Sequence, residues 1–210
     1  MKQFCLFLSL LLFSSVCLAQ TPTKMLIGVV GGPTYTNFRG EEQRNDHKSD
    51  FRKAIGVSLM LQKNHFFTKA EVLYENKGFL TNQFIPGSWG QPGSSRSLKN
   101  NFHYVTVPVL VGLSFERLGL FLNAGPFLGF LQKANVVNEY DEYDLTDSWE
   151  KTDLGVSGGI GYGRTLFSII RLSAEVRHNI GLKDVDLREL NYKTNSTSLL
   201  LGIHYTLGGK

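Results

Sequence analysis

The chain has 210 residues, with 22 Lys and Arg side chains against 18 Asp and Glu, which gives a formal net charge of +4. The basic residues are dispersed along the chain, so they form no positive stripe of the kind that binds nucleic acid. After the first 20 residues no stretch approaches 18 uninterrupted apolar residues, which excludes membrane-spanning helices. The 22 Gly, 15 Phe and 8 Tyr residues favour strands over helices.

The N-terminal segment has the layout of a secretory signal peptide. Lys2 precedes an apolar run at residues 4–13, and the segment closes on the small residue Ala19. Two serines interrupt the run too early for a membrane-anchoring helix, which needs about 20 apolar residues. We therefore predict a signal peptide at residues 1–19 and a single mature domain at residues 20–210.

Both cysteines, Cys5 and Cys17, lie inside the predicted signal peptide. Lipid modification of Cys17 is disfavoured, because the preceding Val16 is branched where such sites usually carry a small residue. The mature chain is then free of cysteine, which excludes a disulfide scaffold, a thiol nucleophile and a Cys-ligated metal.

Eight segments alternate apolar and polar side chains with the period of two that is typical of strands. Each is about as long as a tilted membrane-crossing strand, which needs roughly 9 to 11 residues. In chain order the predicted segments are 24–34, 51–62, 66–77, 102–115, 118–131, 153–164, 169–181 and 197–207.

The connections between these segments alternate between long and short. Short turns follow the second, fourth and sixth segments. This alternation is typical of outer-membrane barrels, which have short periplasmic turns and long external loops. A soluble sandwich would have long loops at both ends. The long polar connections are predicted at 35–49, 78–100, 132–152 and 182–196.

An apolar face recurs in every segment. In the last one, Leu199, Leu201 and Ile203 share one face, and Ser198 and His204 share the other. Because no helix is predicted in the mature chain to cover so many outward apolar side chains, lipid is their expected partner.

Charged residues occupy the opposite face of two segments. An eight-stranded barrel is just wide enough for side chains to fill it, so inward charges have to be paired. We predict an ion-paired network in a filled interior, and the balance of three cations and three anions supports it. A permeation or proton route remains the alternative. The predicted network consists of Lys69, Glu71 and Glu75 on the third strand and Arg171, Glu175 and Arg177 on the seventh.

The glycine-rich stretch at 153–163 carries Gly155, Gly159, Gly161 and Gly163 at even spacing. This spacing does not match a nucleotide-binding loop, and no helix-forming stretch follows. The glycines are predicted to leave room for bulky inward side chains of neighbouring strands. In the fourth segment Pro108 cannot donate to the ladder and predicts a bulge or a local opening.

The candidate catalytic residues are Asp46, His47 and Asp50 in the first long connection and His178 near the external end of the seventh strand. Acid and His groups at this rim are the residues that an outer-membrane hydrolase would use. The acidic stretch 138–150 could hold Ca²⁺ but lacks the spacing of an EF-hand, so we predict a solvated loop there. No metal or other cofactor is predicted.

Several motifs resemble the successive strands of the PorT-like outer-membrane β-barrel family. This resemblance implies an eight-stranded barrel inserted by the barrel-assembly machinery. Most members have no assigned activity, and the name-giving relative is tied to a secretion and gliding apparatus. The motifs are YVTVPVLVGLSF (104–115), NAGPFLGFLQKAN (123–135), DLGVSGGIGYG (153–163), AEVRHNIGLKDV (174–185) and SLLLGIHYTLG (198–208).

The sequence thus predicts an all-β protein, an eight-stranded antiparallel up-and-down transmembrane β-barrel of the bacterial outer membrane. Its predicted role is structural or partner-binding, through long external loops and without enzymatic activity. Its predicted partners are outer-membrane lipid, the barrel-assembly machinery, and envelope or secretion-complex proteins. The alternatives are an outer-membrane enzyme active at the rim and a soluble periplasmic barrel that binds an apolar ligand.

Overall fold

The computed structural model describes residues 23–40, 47–85, 94–137, 141–167, 169–187 and 191–207. The predicted signal peptide and the candidate residue Asp46 lie outside these ranges. Within them, the helical structure is a three-residue 3-10 turn at Thr146–Ser148, and no candidate membrane-spanning helix occurs.

Eight long strands form one closed antiparallel ring. The long strands pair with their neighbours in the chain, and the first strand pairs with the last, which closes the ring. A ninth, short strand, β6, pairs only with the end of β5. The strands are β1 (Lys24–Arg39), β2 (His47–Lys63), β3 (Phe66–Ile85), β4 (Ser94–Phe115), β5 (Leu120–Val137), β6 (Glu142–Asp144), β7 (Thr152–Leu166), β8 (Ile170–Gly181) and β9 (Lys193–Leu207).

The ring is strongly staggered. A path that starts at Met25 on β1 and passes from each residue to its pairing partner on the next strand returns to β1 after one circuit of the ring. It returns at Tyr35, ten residues beyond Met25. A closed sheet with such a stagger has strands that tilt against the barrel axis. Residues that pair around the ring therefore differ in height along the barrel.

Burial alternates along the strands as the sequence predicts. On β8 the inward Glu175 is 4% exposed, and the next residue, Val176, is 49% exposed. The same alternation of buried and exposed residues follows β1, β7 and β9, and it follows β5 as far as Leu131. The exterior is consequently covered mainly by Val, Leu, Ile and aromatic side chains. Most polar residues of the strands face the lumen, whereas Arg164 on β7 and His178 on β8 are exposed on the outer face.

The two ends of the barrel differ. The start of β1, the end of β9 and the three short turns lie at one end, here called the turn end. The longer connections lie at the other end, called the loop end. In outer-membrane barrels the turns are periplasmic and the loops external.

Several strands are longer than the alternation predicts, and β3 and β4 exceed their predicted bounds the most. β3 continues to Ile85 and β4 begins at Ser94, whereas the predicted segments end at residue 77 and begin at residue 102. Much of the predicted long connection is therefore a paired hairpin. The backbone pairing of β3 with β4 continues into a region where the outward residues are no longer consistently apolar. Hydrophobic alternation therefore does not predict this part of the hairpin.

Pro108 opens the ladder locally without making a bulge. It pairs with Phe127 on β5, and the register between β3 and β4 is the same on both sides of it. Register shifts occur elsewhere, between Ser49 and Ala54 on β2 and between His103 and Tyr104 on β4.

Most of the described part of the acidic third connection is exposed, in agreement with the predicted solvated loop, but it also has regular structure and one buried side chain, which the sequence did not predict. β6 pairs with the end of β5, and a 3-10 turn follows. Trp149 is buried against Phe102, with ring centroids 4.6 Å apart. The indole ring therefore anchors this connection at the mouth of the barrel.

Candidate functional site

The most distinctive polar feature is a group of four buried charges in the lumen, here called the central ionic cluster: Lys69, Glu71, Glu175 and Arg177. The first two lie on β3 and the other two on β8. These strands are four places apart in the ring of eight in either direction, so they face each other across the lumen.

Each cation of the central ionic cluster contacts both anions. The ammonium of Lys69 lies 2.6 Å from Glu175 Oε2 and 3.2 Å from Glu71 Oε1. The guanidinium of Arg177 donates through Nε to Glu175 at 2.8 Å and through both terminal nitrogens to Glu71. Asn123 donates a further bond to Glu175 at 3.0 Å. Bidentate, charge-assisted bonds of this kind are the strong ones, and they compensate the desolvation of four charges.

A second ionic group lies on the loop-end side of the first. Lys77 Nζ is 3.1 Å from Asp153 Oδ2 and 3.8 Å from Glu75 Oε2. The ammonium also lies 5.0 Å from the ring centroids of Tyr104 and Phe127, within cation–π range. Thr106 and Thr194 donate to the two carboxylates.

The structure thus separates the six residues of the predicted network. Four form the central ionic cluster. Glu75 belongs to the Lys77 group instead, and Arg171 lies near the turn end, with its guanidinium 5.8 Å from the Phe121 ring centroid. No ion pair joins Arg171 to the other five within the described residues.

The sequence interpretation missed Lys77 and Asp153, although a signal for both was present. Lys77 has the same parity as Lys69 and Glu71, and Asp153 has the parity of the inward glycines on β7. Lys77 and Asp153 add one cation and one anion to the predicted six charges, so the interior cations and anions in this set remain equal in number.

Apolar clusters close the lumen on both sides of the ionic groups. At the turn end Leu26, Met60, Phe67 and Phe121 pack together. At the loop end a larger cluster, here called the aromatic cap, includes side chains from the third and fourth connections. Its members are Phe38, Phe79, Phe102, Tyr104, Leu131, Ala134, Trp149, Val185 and Tyr192.

The candidate catalytic residues in the described part do not form a common site. Asp50 pairs in the sheet with the inward-facing Thr36 and contacts Arg52 at 2.8 Å. His178 is exposed on the outer face and is hydrogen-bonded to Thr197. The structure does not describe the side chain of His47. Among the described residues, no three His, Cys, Asp or Glu side chains are grouped closely enough to hold a metal ion.

One surface ion pair joins β6 to β5 at the loop end. Lys133 Nζ lies 2.8 Å from Glu142 Oε1, and this hydrogen bond holds the pKa of Glu142 below its ordinary value. A depressed carboxyl pKa means that the pair contributes stability at neutral pH and loses it as the pH falls through the lowered pKa. Both groups are exposed, so solvent screens the interaction.

The glycine row on β7 provides space for neighbouring side chains, as predicted. A Cβ at Gly155 would lie 2.5 Å from the Phe127 ring, and one at Gly161 would clash with the Phe121 ring. A Cβ at Gly159 would meet the carboxylate of Glu175. The small residues thus allow bulky rings and an ion pair to fill the lumen.

We expect Gly161→Ala to destabilise the barrel by about 1–3 kcal/mol, because the added methyl group overpacks the interior against Phe121. Gly158→Ala is the matched control. Gly158 lies on the outer face of the same strand, and nothing is within 4 Å of its Cβ position. Urea unfolding in lipid vesicles measures both variants, and equal midpoints would contradict the packing role of the row.

A closed antiparallel ring with an apolar exterior and an ion-paired, filled interior defines a membrane-spanning β-barrel. The family model for the outer membrane protein beta-barrel domain matches residues 18–187. This match covers most of the chain, so the protein belongs to that family and resides in the bacterial outer membrane. The alternative of a soluble periplasmic barrel is therefore wrong.

The solved structures to which the chain is similar include the following three. Neisserial surface protein A (NspA) shares 14% identity over 89% of this chain and 100% of its own, with a TM-score of 0.48. Ail of Yersinia pestis, in complex with the heparin analogue sucrose octasulfate, shares 12% sequence identity over 88% of this chain and 99% of its own, with a TM-score of 0.46. OprG of Pseudomonas aeruginosa shares 10% sequence identity over 89% of this chain and 97% of its own, also with a TM-score of 0.46. No curated protein sequence matches the chain.

Proposed function

We propose that this outer-membrane barrel is a non-conducting member of the PorT-like group, with a structural or partner-binding role at its loop end and no catalytic activity. The observation that carries the proposal is the filled lumen, in which the two ionic groups lie between apolar clusters. In this proposal residues 1–19 direct export, and the barrel-assembly machinery inserts the mature chain.

An ordered surface at the loop end supports a partner-binding role. The third and fourth connections are joined by a β-bridge between Trp149 and Asp186 and by an ion pair of 2.7 Å between Lys183 and Glu150. A surface held in one conformation loses less entropy when a partner binds. Envelope or secretion-complex proteins are the proposed partners.

The protein reconstituted in planar bilayers should show no ion conductance at moderate salt. A filled eight-stranded barrel leaves no continuous aqueous path, because side chains occupy its interior. Phe102→Ala should also conduct nothing, since the apolar cluster at the turn end remains in place. Steady conductance of the unaltered protein would contradict the proposal and favour the permeation route.

Single cysteines test whether the loop end faces outward. Asp147→Cys lies in the exposed third connection and Arg117→Cys in an exposed turn at the other end. In intact cells a membrane-impermeant maleimide should label only Asp147→Cys. A cross-linker attached to Asp147→Cys should also capture an envelope protein, and a cross-linker attached to the lipid-facing control Leu201→Cys should not capture it. Labelling of Arg117→Cys alone would invert the proposed orientation.

A further inference from the structure

A polar cavity of about 400 Å³ opens at the turn end, away from the proposed partner surface. The start of β1, the turn between β4 and β5, and the hairpin of β7 and β8 supply its lining. The charged residues of this lining are Lys24, Glu116, Arg164 and Arg171. Three cations thus share the cavity with one carboxylate.

The one carboxylate already has a partner. Glu116 Oε1 accepts a hydrogen bond of 3.1 Å from Gln62 Nε2. Its single negative charge does not balance the three cations that line the cavity.

Arg171 is the unusual member of the lining. The residue is 7% exposed, and among the described residues its guanidinium has no hydrogen bond or ion pair. The guanidinium lies over the Phe121 ring, 5.8 Å from its centroid. The guanidinium packs against Gly163, where a side chain would crowd it, because a Cβ at this position would lie 3.0 Å from a terminal nitrogen of Arg171. A buried guanidinium whose donors face a cavity is a ready-made anion site, and its planar fork fits a phosphate group.

A second cavity adjoins the first and shares Arg164 with it. It has a volume of about 310 Å³, lies on the outer face of β7 and β8, and is lined by Tyr162, Leu166, Leu172 and Ala174. The lining of this second cavity is apolar apart from Arg164 and a serine. A ligand with a phosphate group and an acyl chain would occupy both cavities, with Arg164 at their junction.

We propose that the turn end binds the phosphate group of an anionic phospholipid of the periplasmic leaflet. Arg171 and Lys24 hold the phosphate in the polar cavity, Arg164 holds it at the membrane edge, and the apolar cavity takes the first part of an acyl chain.

Titration of the folded, detergent-solubilised protein tests this site. The probes are short-chain phosphatidylglycerol, phosphatidylcholine of the same chain length, and inorganic phosphate alone. Phosphatidylglycerol should bind most tightly, and Arg171→Gln should weaken its binding by about tenfold or more, as expected for losing a charge-assisted bond. Lys63→Gln is the control, because Lys63 lies at the same end but outside both cavities.

Each alternative outcome overturns part of the proposal. If inorganic phosphate binds as tightly as phosphatidylglycerol and with the same dependence on Arg171, the ligand is a free anion and the lipid source is wrong. If phosphatidylcholine binds equally well, the site does not select an anionic lipid. Should Arg171→Gln fail to fold, the exposed Arg164→Gln and Lys24→Gln replace it, and unchanged binding in both would refute the site.

Discussion

Arg177→Met should lower the free energy of unfolding by about 3–5 kcal/mol, the typical cost of removing one partner from a buried ion pair. Without Arg177, the carboxylates of Glu71 and Glu175 remain buried with the single cation of Lys69. Met keeps much of the side-chain volume, so the loss reports the charge more than a cavity. Urea unfolding of the protein in lipid vesicles measures the effect.

Two further variants separate charge from packing in this experiment. Val176→Ala alters the lipid-facing residue next to Arg177 and should cost about 1 kcal/mol, because it removes two methyl groups from an apolar contact. The double variant Glu71→Gln/Arg177→Met leaves Lys69 paired with Glu175 and should recover part of the loss. If Arg177→Met were as mild as Val176→Ala, the central ionic cluster would not stabilise the barrel.

Phe102→Ala should cost about 3–5 kcal/mol, the usual range for removing a buried aromatic ring. The Phe102 ring lies 4.8 Å from the Phe38 ring and 4.6 Å from the Trp149 ring, centroid to centroid, in the middle of the aromatic cap. Its loss should also loosen the third connection from the barrel mouth. Protease added to intact cells should then cleave within residues 141–151 faster than in the unaltered protein.

Phe130→Ala is the control for this second prediction. Phe130 also belongs to the barrel wall near the loop end, but it is exposed on the lipid-facing side of β5. Its removal leaves the aromatic cap intact and should not change protease sensitivity. Equal sensitivity of the two variants would show that the cap does not hold the third connection.

Several features of the fold follow from alternation alone. A period of two assigns strand residues to one of two faces wherever the register is regular, so the lipid-facing Val176 and the inward Glu175 are distinguished without a structure. The order of short and long connections implies neighbours that pair in sequence. The even spacing of glycines on β7 predicts room for bulky neighbours, and the structure identifies Phe121 and Phe127 as the rings that fill it.

Strand length was harder to predict, for a physical reason. Alternation is visible only where one face meets lipid and the other the lumen, and β3 and β4 continue beyond that zone. Backbone hydrogen bonds extend the ladder there without requiring apolar side chains. The burial of Trp149 is not predictable from the sequence for a related reason. The short acidic segment around it has no alternation of apolar and polar residues that would mark an inward side chain.

By itself, therefore, the sequence determined the barrel class, the face of the strand residues away from the register shifts, and the sign balance of the interior. Only the tertiary structure decided which inward charges meet. Pairing around the sheet links Arg171 through His204, Gly28 and Ser58 to Glu71, yet Arg177 contacts that carboxylate. The tilt of the strands sets residues linked around the ring at different heights, and this stagger is a property of the closed sheet that no single strand encodes.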